Sequence, residues 1–358
     1  MSRATDLAGR ILSGEPRALA RGISWVEDES PGFEALLDAV QRGVGRARRI
    51  GVTGPPGAGK STLTAELGAL YLQEGLTIGI IAVDPTSPFT GGALLGDRIR
   101  MSELATEPGV FIRSMASRGS LGGLATATRE AADLMDAAGF DRVILETLGV
   151  GQSELDIAAS ADTTAVVLVP ESGDGIQAMK AGLMEVADLF VVNKADRPGA
   201  DKLEKEIRVM MAIRRGNALS DISSHHGARI DRPEEEVVQE VTQEVAQEWD
   251  TPVLQTTASS GDGVPELLDA LNQHSKWLDA DGELAARRVA QRSRRTRDVL
   301  IRRVQREAES VWEEARTLTE ERLADGNSPY SIADELHTRV VKTRSLEKKQ
   351  ERPAKPEV

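Results

Sequence analysis

Nine consecutive residues carry the densest chemistry in this chain: Gly54-Pro55-Pro56-Gly57-Ala58-Gly59-Lys60-Ser61-Thr62. They fit G-x-x-x-x-G-K-[ST], the pattern of a phosphate-binding loop. The glycines let the backbone turn tightly, so that successive N–H groups face one anion. Lys60 can reach the outer phosphates of a nucleotide, and Ser61 can offer its hydroxyl to Mg²⁺. Such a loop needs a strand in front of it and a helix behind. Ile50-Gly51-Val52-Thr53 reads as the strand, and Leu63 to Leu72 has the apolar spacing of a helix. That helix would point its positive end at the phosphates.

A phosphate loop does not by itself choose a base. Asn193-Lys194-Ala195-Asp196 does, following the apolar run Leu189-Phe190-Val191-Val192. A carboxylate at Asp196 can accept from both N1–H and the 2-amino group of guanine, and adenine has no matching donor pair. Each charge-assisted bond of this kind contributes roughly 1.5–3 kcal/mol. The stem of Lys194 can lie over the base. Thr256-Thr257-Ala258-Ser259 follows another strand. It is either a loop whose backbone, at Thr257 and Ala258, meets the guanine oxygen or an ordinary strand-to-helix connection.

Mg²⁺ needs further oxygen ligands at strand ends. Asp84 closes Ile80-Ile81-Ala82-Val83, and Glu146 closes Val143-Ile144-Leu145. Asp97 lies in Gly96-Asp97-Arg98, where it serves either the metal or a helix dipole. With Ser61, phosphates and water also present, some of these acids would act through water. Glu146-Thr147-Leu148-Gly149 parallels the D-x-x-G switch of small GTPases, with Glu for Asp. The N–H of Gly149 can sense the terminal phosphate. No Gln follows Gly149 directly, and Gln152 is three residues further on. Slow intrinsic turnover is therefore expected. His225-His226 are the only neighbouring histidines and read as solvated.

These segments must be positioned by a larger frame. Apolar strands are expected at 49–53, 77–83, 110–113, 142–147, 164–169, 188–193 and 253–257. Helices are expected at 60–73, 120–138, 176–186, 201–214, 233–248 and 264–275. The alternation predicts a doubly wound, mostly parallel α/β domain over residues 48–280. Residues 1–47 read as a helical extension, with apolar spacing over Ala4 to Leu12 and Phe33 to Val44. Residues 281–342 read as a helical arm. Its long charged helix, Gly282 to Arg322, carries Val289, Leu300, Val304, Val311, Trp312 and Leu318 as an apolar stripe, and a short helix runs to Val341. Residues 343–358 read as a disordered tail. The basic stretch Arg287 to Arg303 is either a docking surface or the solvated face of that helix.

The 358 residues suggest two or three structural units, and 40% hydrophobic content is enough for a core. The net charge of −13 argues against nucleic acid as a partner, and 3% aromatics argue against a base-stacking platform. The chain has no Cys, which excludes disulfides and thiolate metal sites and fits a reducing compartment. Met1 to Gly14 lacks the apolar core of a signal peptide. No stretch approaches the ~18 apolar residues of a membrane span. A cytoplasmic protein without membrane contact is expected.

With these motifs in hand, the chain resembles the MeaB-type GTPases that accompany methylmalonyl-CoA mutase, also known under ArgK and LAO/AO transport names. The segments that carry the likeness are VDPTSPFTGGALLGDRIRM (83–101), FIRSMASRGSLGGLATATREA (111–131), ETLGVGQSE (146–154) and KAGLMEVADLFVVNKAD (180–196). With the phosphate loop they cover about residues 48–200 densely. The family belongs to the SIMIBI class of P-loop proteins. Its nickel-handling relatives use His-rich or Cys-containing sites that this chain lacks.

The resemblance implies GTP/GDP and Mg²⁺ as ligands, with Asp84, Asp97 and Glu146 as the metal acids and no direct cobalamin site assigned. It implies a metallochaperone that gates cofactor loading, protection and reactivation of an adenosylcobalamin-dependent acyl-CoA mutase. An adenosyltransferase is a further partner, and the chain is expected to be a homodimer joined through its C-terminal helices. A loop from Glu171 to Lys180 is expected to relay the partner's signal, with Asp174, Gln177 and Lys180 on positions linked to stimulated hydrolysis. The chain departs from the family pattern at Glu171-Ser172, where a Gly is usual, at Leu148 for Val, and at Ser120 for His. Two other functions compete: a kinase passing phosphate to a protein, for which no acceptor site or base is visible, and a GTP-binding scaffold without hydrolysis. The metal-ligand set argues against the scaffold.

Overall fold

A computed structural model describes residues 2–84, 101, 103–116, 121–147, 160–170, 182–214, 249–280 and 282–350. The continuous apolar strands pair side by side into one sheet. In chain order they are β1 Arg48–Thr53, β2 Ile78–Asp84, β3 Val110–Ala116, β4 Arg142–Thr147, β5 Thr163–Leu168, β6 Leu189–Asn193 and β7 Val253–Thr256. Their spatial order is β3-β2-β4-β1-β5-β6-β7, and every pair is parallel. This is the doubly wound architecture expected above. After β1 the chain moves outward to β2 and β3, returns to β4, then crosses β1 to reach β5, β6 and β7. The order therefore reverses beside β1, where ligands of such sheets collect at the carboxyl ends.

Alternate strand residues enter opposite cores, as a period of two requires. Ile50, Val52, Ile144, Ala165 and Val167 pack under α4 (Lys60–Gln73) and α7 (Val264–Ala280). On the other face Val143 and Leu145 pack with α5 (Leu121–Ala137) and the N-terminal helices. On that face too, Val166, Leu168, Phe190 and Val192 pack with α6 (Ala200–Arg214).

The N-terminal helices are α1 (Arg3–Leu12), α2 (Pro16–Glu27) and α3 (Phe33–Val40). α1 buries Ala4, Leu7, Ala8 and Ile11, one face at helical spacing, and its Ser2 side chain caps Thr5 N. α2 is a helix that the pattern reading did not single out. Pro16 opens it, and Gly22 lets it approach α1, since a Cβ there would stand 2.7 Å from Ile11 Cδ1. The helix expected at 233–248 lies outside the described residues, as does most of the one at 176–186, of which the single turn Met184–Val186 is seen.

Residues Met1–Arg288 form one compact unit and Val289–Val358 a second. The second consists of the later part of α8 (Glu283–Ala324) and of α9 (Pro329–Gln350). Val311, Ala315, Thr319 and Ile332 are buried within it, and Arg322 grips Glu335 at 2.7 and 2.9 Å. Val289, Leu300, Val304, Trp312 and Leu318 of the predicted stripe are exposed. α9 runs past its expected end at Val341 to Gln350, because Lys, Leu, Glu and Gln are good helix formers.

At the amino-terminal edge of the sheet, His274 of α7 is buried against Thr163 Oγ1, 2.7 Å from Nδ1, and stacks on Trp277. Burial pushes its pKa down to about 4, which the nearby Asp188 only partly opposes. The unfolded chain takes up a proton near pH 6.5 that the folded chain refuses until about pH 4. Stability is therefore present above pH 6.5 and is lost as pH falls through this window, by about 3 kcal/mol. His274→Gln should flatten the loss. Urea midpoints at pH 7 and pH 4.5 for both proteins measure it, and identical pH slopes would contradict it.

Candidate nucleotide site

The loop between β1 and α4 is shaped by two close approaches. Gly54 has φ 139°, and a Cβ on it would stand 2.0 Å from the Val167 carbonyl oxygen of β5. Gly59 has φ 86°, and its Cβ would stand 2.4 Å from Asn193 Nδ2. Only glycine lets the chain leave β1 against β5 and enter α4 against β6. Pro56 and Gly57 remain exposed at the loop tip, while Ala58 is buried beneath it.

Lys60 and Ser61 open α4, followed by Thr62. Lys60 is 4% exposed, and its ammonium donates to the carbonyls of Gly54 at 2.7 Å and Pro55 at 2.9 Å. A phosphate entering the loop competes for that ammonium. The Ser61 hydroxyl donates to Glu146 Oε1 at 2.5 Å, and both side chains are buried. Glu146 reaches it because β4 lies beside β1, with Val52 opposite Glu146. A hydroxyl and a carboxylate converging beside a phosphate loop are hard oxygen donors that suit Mg²⁺. Val83 of β2 is opposite Thr147, so Asp84 ends β2 one position further on at the same sheet edge. Thr147 Oγ1 also donates to Thr53 Oγ1 at 2.9 Å, tying β4 to β1 just below the loop.

Asn193 acts behind the loop. It is 1% exposed, and Nδ2 donates to the Ala58 carbonyl at 2.8 Å. Its Oδ1 accepts from Thr256 Oγ1 at 3.0 Å and from Ala258 N at 3.1 Å. One amide thus joins the phosphate loop to the loop after β7. Lys194 has φ 57°, unusual for a residue with a side chain, and its Cε comes within 4.0 Å of the Cβ position of Gly59. Its stem therefore runs beside the phosphate loop. Ala195 N donates to Thr256 O at 3.0 Å, which ties the base motif to the end of β7; Asp196 is exposed and Thr257 half-buried.

The structure brings together Lys60, Ser61, Glu146, Asn193 and Ala258. Asp97, Gly149, Asp174, Gln177 and Lys180 lie outside the described residues. Sequence reasoning gave Asn193 a place in the base motif but missed its three loop-joining bonds and the Thr53–Thr147 contact. The short spacing of the motif signals Asn193, but nothing in the chain signals its partners.

The model of the methylmalonyl-CoA mutase-associated GTPase MeaB matches residues 19–313. The chain belongs to the MeaB family. A Pyrococcus horikoshii protein with a provisional GTPase name is 41% identical over 336 residues, covering 94% of this chain and 98% of that one. The mitochondrial methylmalonic aciduria type A homolog of Mus musculus is 32% identical, covering 78% of this chain and 65% of that one. A crystal structure of an LAO/AO transport system kinase superposes with a TM-score of 0.58 at 29% identity, covering 95% of this chain and 99% of that one. MeaB-family membership places the site among GTP-binding P-loop proteins. Among the described residues, no helix is long and apolar enough to cross a membrane.

Proposed function

We propose that this MeaB-family chain hydrolyses GTP slowly and serves as a cytoplasmic chaperone of an adenosylcobalamin-dependent acyl-CoA mutase. The observation that carries the reading is the Ser61–Glu146 pair beside buried Lys60, in a glycine cradle tied through Asn193 to the base motif. Lys60 and the loop amides hold the phosphates and the charge that develops as water attacks in line. Ser61, Glu146, Asp84 and Asp97 would hold Mg²⁺, some of the acids through water, and the metal would offset phosphate charge. Gly149 senses the terminal phosphate, and Asp174, Gln177 and Lys180 complete the site when the client binds. Two copies associate through residues 281–342. The mutase-associated family name and the methylmalonic aciduria homolog support the choice of client.

The client is tested by adding purified methylmalonyl-CoA mutase. Hydrolysis should rise about tenfold or more, well inside what partner-supplied groups achieve. Lys180→Ala should lose that rise and keep its GTP affinity. A mutase that neither binds nor stimulates would end the chaperone reading. Release of free phosphate rather than labelled protein separates hydrolysis from the kinase alternative.

Base selection has its own test. GTP and GDP should bind at least roughly tenfold tighter than ATP and ADP, equivalent to one charge-assisted bond. Asp196→Asn should remove most of that preference. Equal affinities for ATP and GTP in calorimetry would refute the guanine assignment.

A further inference from the structure

Away from the nucleotide site, the amino-terminal edge of the sheet holds a buried charge network. Arg49 on β1 donates to Asp133 at 2.7 Å and Asp136 at 3.0 Å, both on α5. Burial works against its charge, but these aspartates outweigh it and raise its pKa. Arg288 in α8 holds Asp162 at 2.9 and 2.6 Å and the Ala47 carbonyl at 2.7 Å. Arg287 holds the Asp162 carbonyl at 2.7 Å and the Asp188 carboxylate at 3.0 and 3.1 Å. Arg287 and Arg288 therefore each span two strand starts. Arg288 joins the approach to β1 with the approach to β5, and Arg287 joins the approaches to β5 and β6.

The aspartates bridge strands as well. Asp162 accepts from Arg49 N of β1 at 2.9 Å, and Asp188 accepts from Thr164 N of β5 at 2.8 Å. The carboxyl ends of β1 and β6 carry the phosphate loop and Asn193-Lys194-Ala195-Asp196. A nucleotide that engages both loops constrains β1 against β6 across β5. Bonds that span strand starts feel such a constraint, because hydrogen bonds weaken steeply with misalignment.

We propose that Arg287 and Arg288 form a latch whose strength depends on the bound nucleotide, and through which the nucleotide strands are coupled to the root of α8. This rests on the nucleotide-binding reading above. By linkage, a latch that senses GDP and GTP differently must change their relative affinity by the same factor when it is weakened.

A reporter is built in. Trp249 Nε1 donates to the Asp188 carbonyl at 2.8 Å, and Trp277 stacks on His274, whose Nε2 is 3.4 Å from Asp188. Trp25→Phe with Trp312→Phe in the full chain leaves these two as the only tryptophans. Their emission should shift on nucleotide binding and differ between GDP and a non-hydrolysable GTP analogue. Arg288→Lys keeps the charge but loses the planar fork that spans two strands. It should at least halve the shift and change the ratio of analogue to GDP affinity about threefold or more. An equal shift and an unchanged ratio in Arg288→Lys would make the pair a plain anchor and overturn the latch.

Hydrogen exchange on the unmodified chain needs no variant and covers the case where Arg288→Lys fails to fold. The amides of Gly45, Ala47, Arg49 and Thr164, which donate to Asp136, Asp162 and Asp188, should exchange differently with GDP and with the analogue. Equal protection there, with nucleotide bound by calorimetry, overturns the latch alone. Absence of any nucleotide binding overturns both the latch and the site.

Discussion

Lys60→Ala is expected to lower the turnover of GTP by roughly 10²–10³-fold, the usual effect of removing one preorganised charge donor. The side chain is buried and its ammonium lies 2.7 and 2.9 Å from two carbonyls of the loop. It is thus placed before the nucleotide arrives. The half-buried arginines Arg49 and Arg288 lie at the opposite edge of the sheet, on Asp133, Asp136 and Asp162, and cannot replace it. Nucleotide affinity should fall as well, because the loop loses its one lysine. Multiple-turnover phosphate release measures the effect. Near-normal turnover would show that hydrolysis occurs elsewhere.

Asn193→Ala should damage both the fold and the site. It removes three hydrogen bonds at once and leaves the Ala58 carbonyl, the Thr256 hydroxyl and the Ala258 amide without this partner. At about 1 kcal/mol each, the loss is about 3 kcal/mol of stability. In a unit of this size the melting temperature should drop by about 5 °C. GTP affinity should drop more than tenfold, since both the phosphate loop and the loop after β7 lose their common brace. Asp196→Asn is the control. Asp196 is exposed, so that variant should change base preference with little effect on melting. If Asn193→Ala melts like the unmodified chain, Asn193 is not the brace described above.

The comparison of Asn193 with Asp196 shows how much of the site was legible beforehand. Both stand in one four-residue motif, and the motif marked them as a pair. Their division of labour came from burial: Asn193 faces inward at the end of β6, and Asp196 lies beyond it in the loop. The strands were legible almost residue by residue, because runs such as Ala165-Val166-Val167-Leu168 are apolar on both faces of a covered sheet. α2 was less so. Its Pro16 start and small buried residues blur the apolar period, and Gly22 matters only because Ile11 is opposite.

The basic stretch Arg287 to Arg303 is the clearest case of an ambiguous pattern. It could be weighed as a docking surface or a solvated face, and its first two arginines are neither, since they grip Asp162 and Asp188. Nothing near them in the chain announces those partners, which come from the starts of β5 and β6.

From the chain alone came the strand, glycine loop and helix around Lys60, the guanine motif, the parallel sheet and the likeness to MeaB-type GTPases. Each is written in local spacing, because backbone turning, period and short motifs act over a few residues. The tertiary structure alone decided that Glu146 meets Ser61, that Asn193 braces two loops, and that Arg49, Arg287 and Arg288 share a buried acidic network. Those contacts join residues from 63 to 135 positions apart, where chain spacing carries no period and only strand order sets who meets whom.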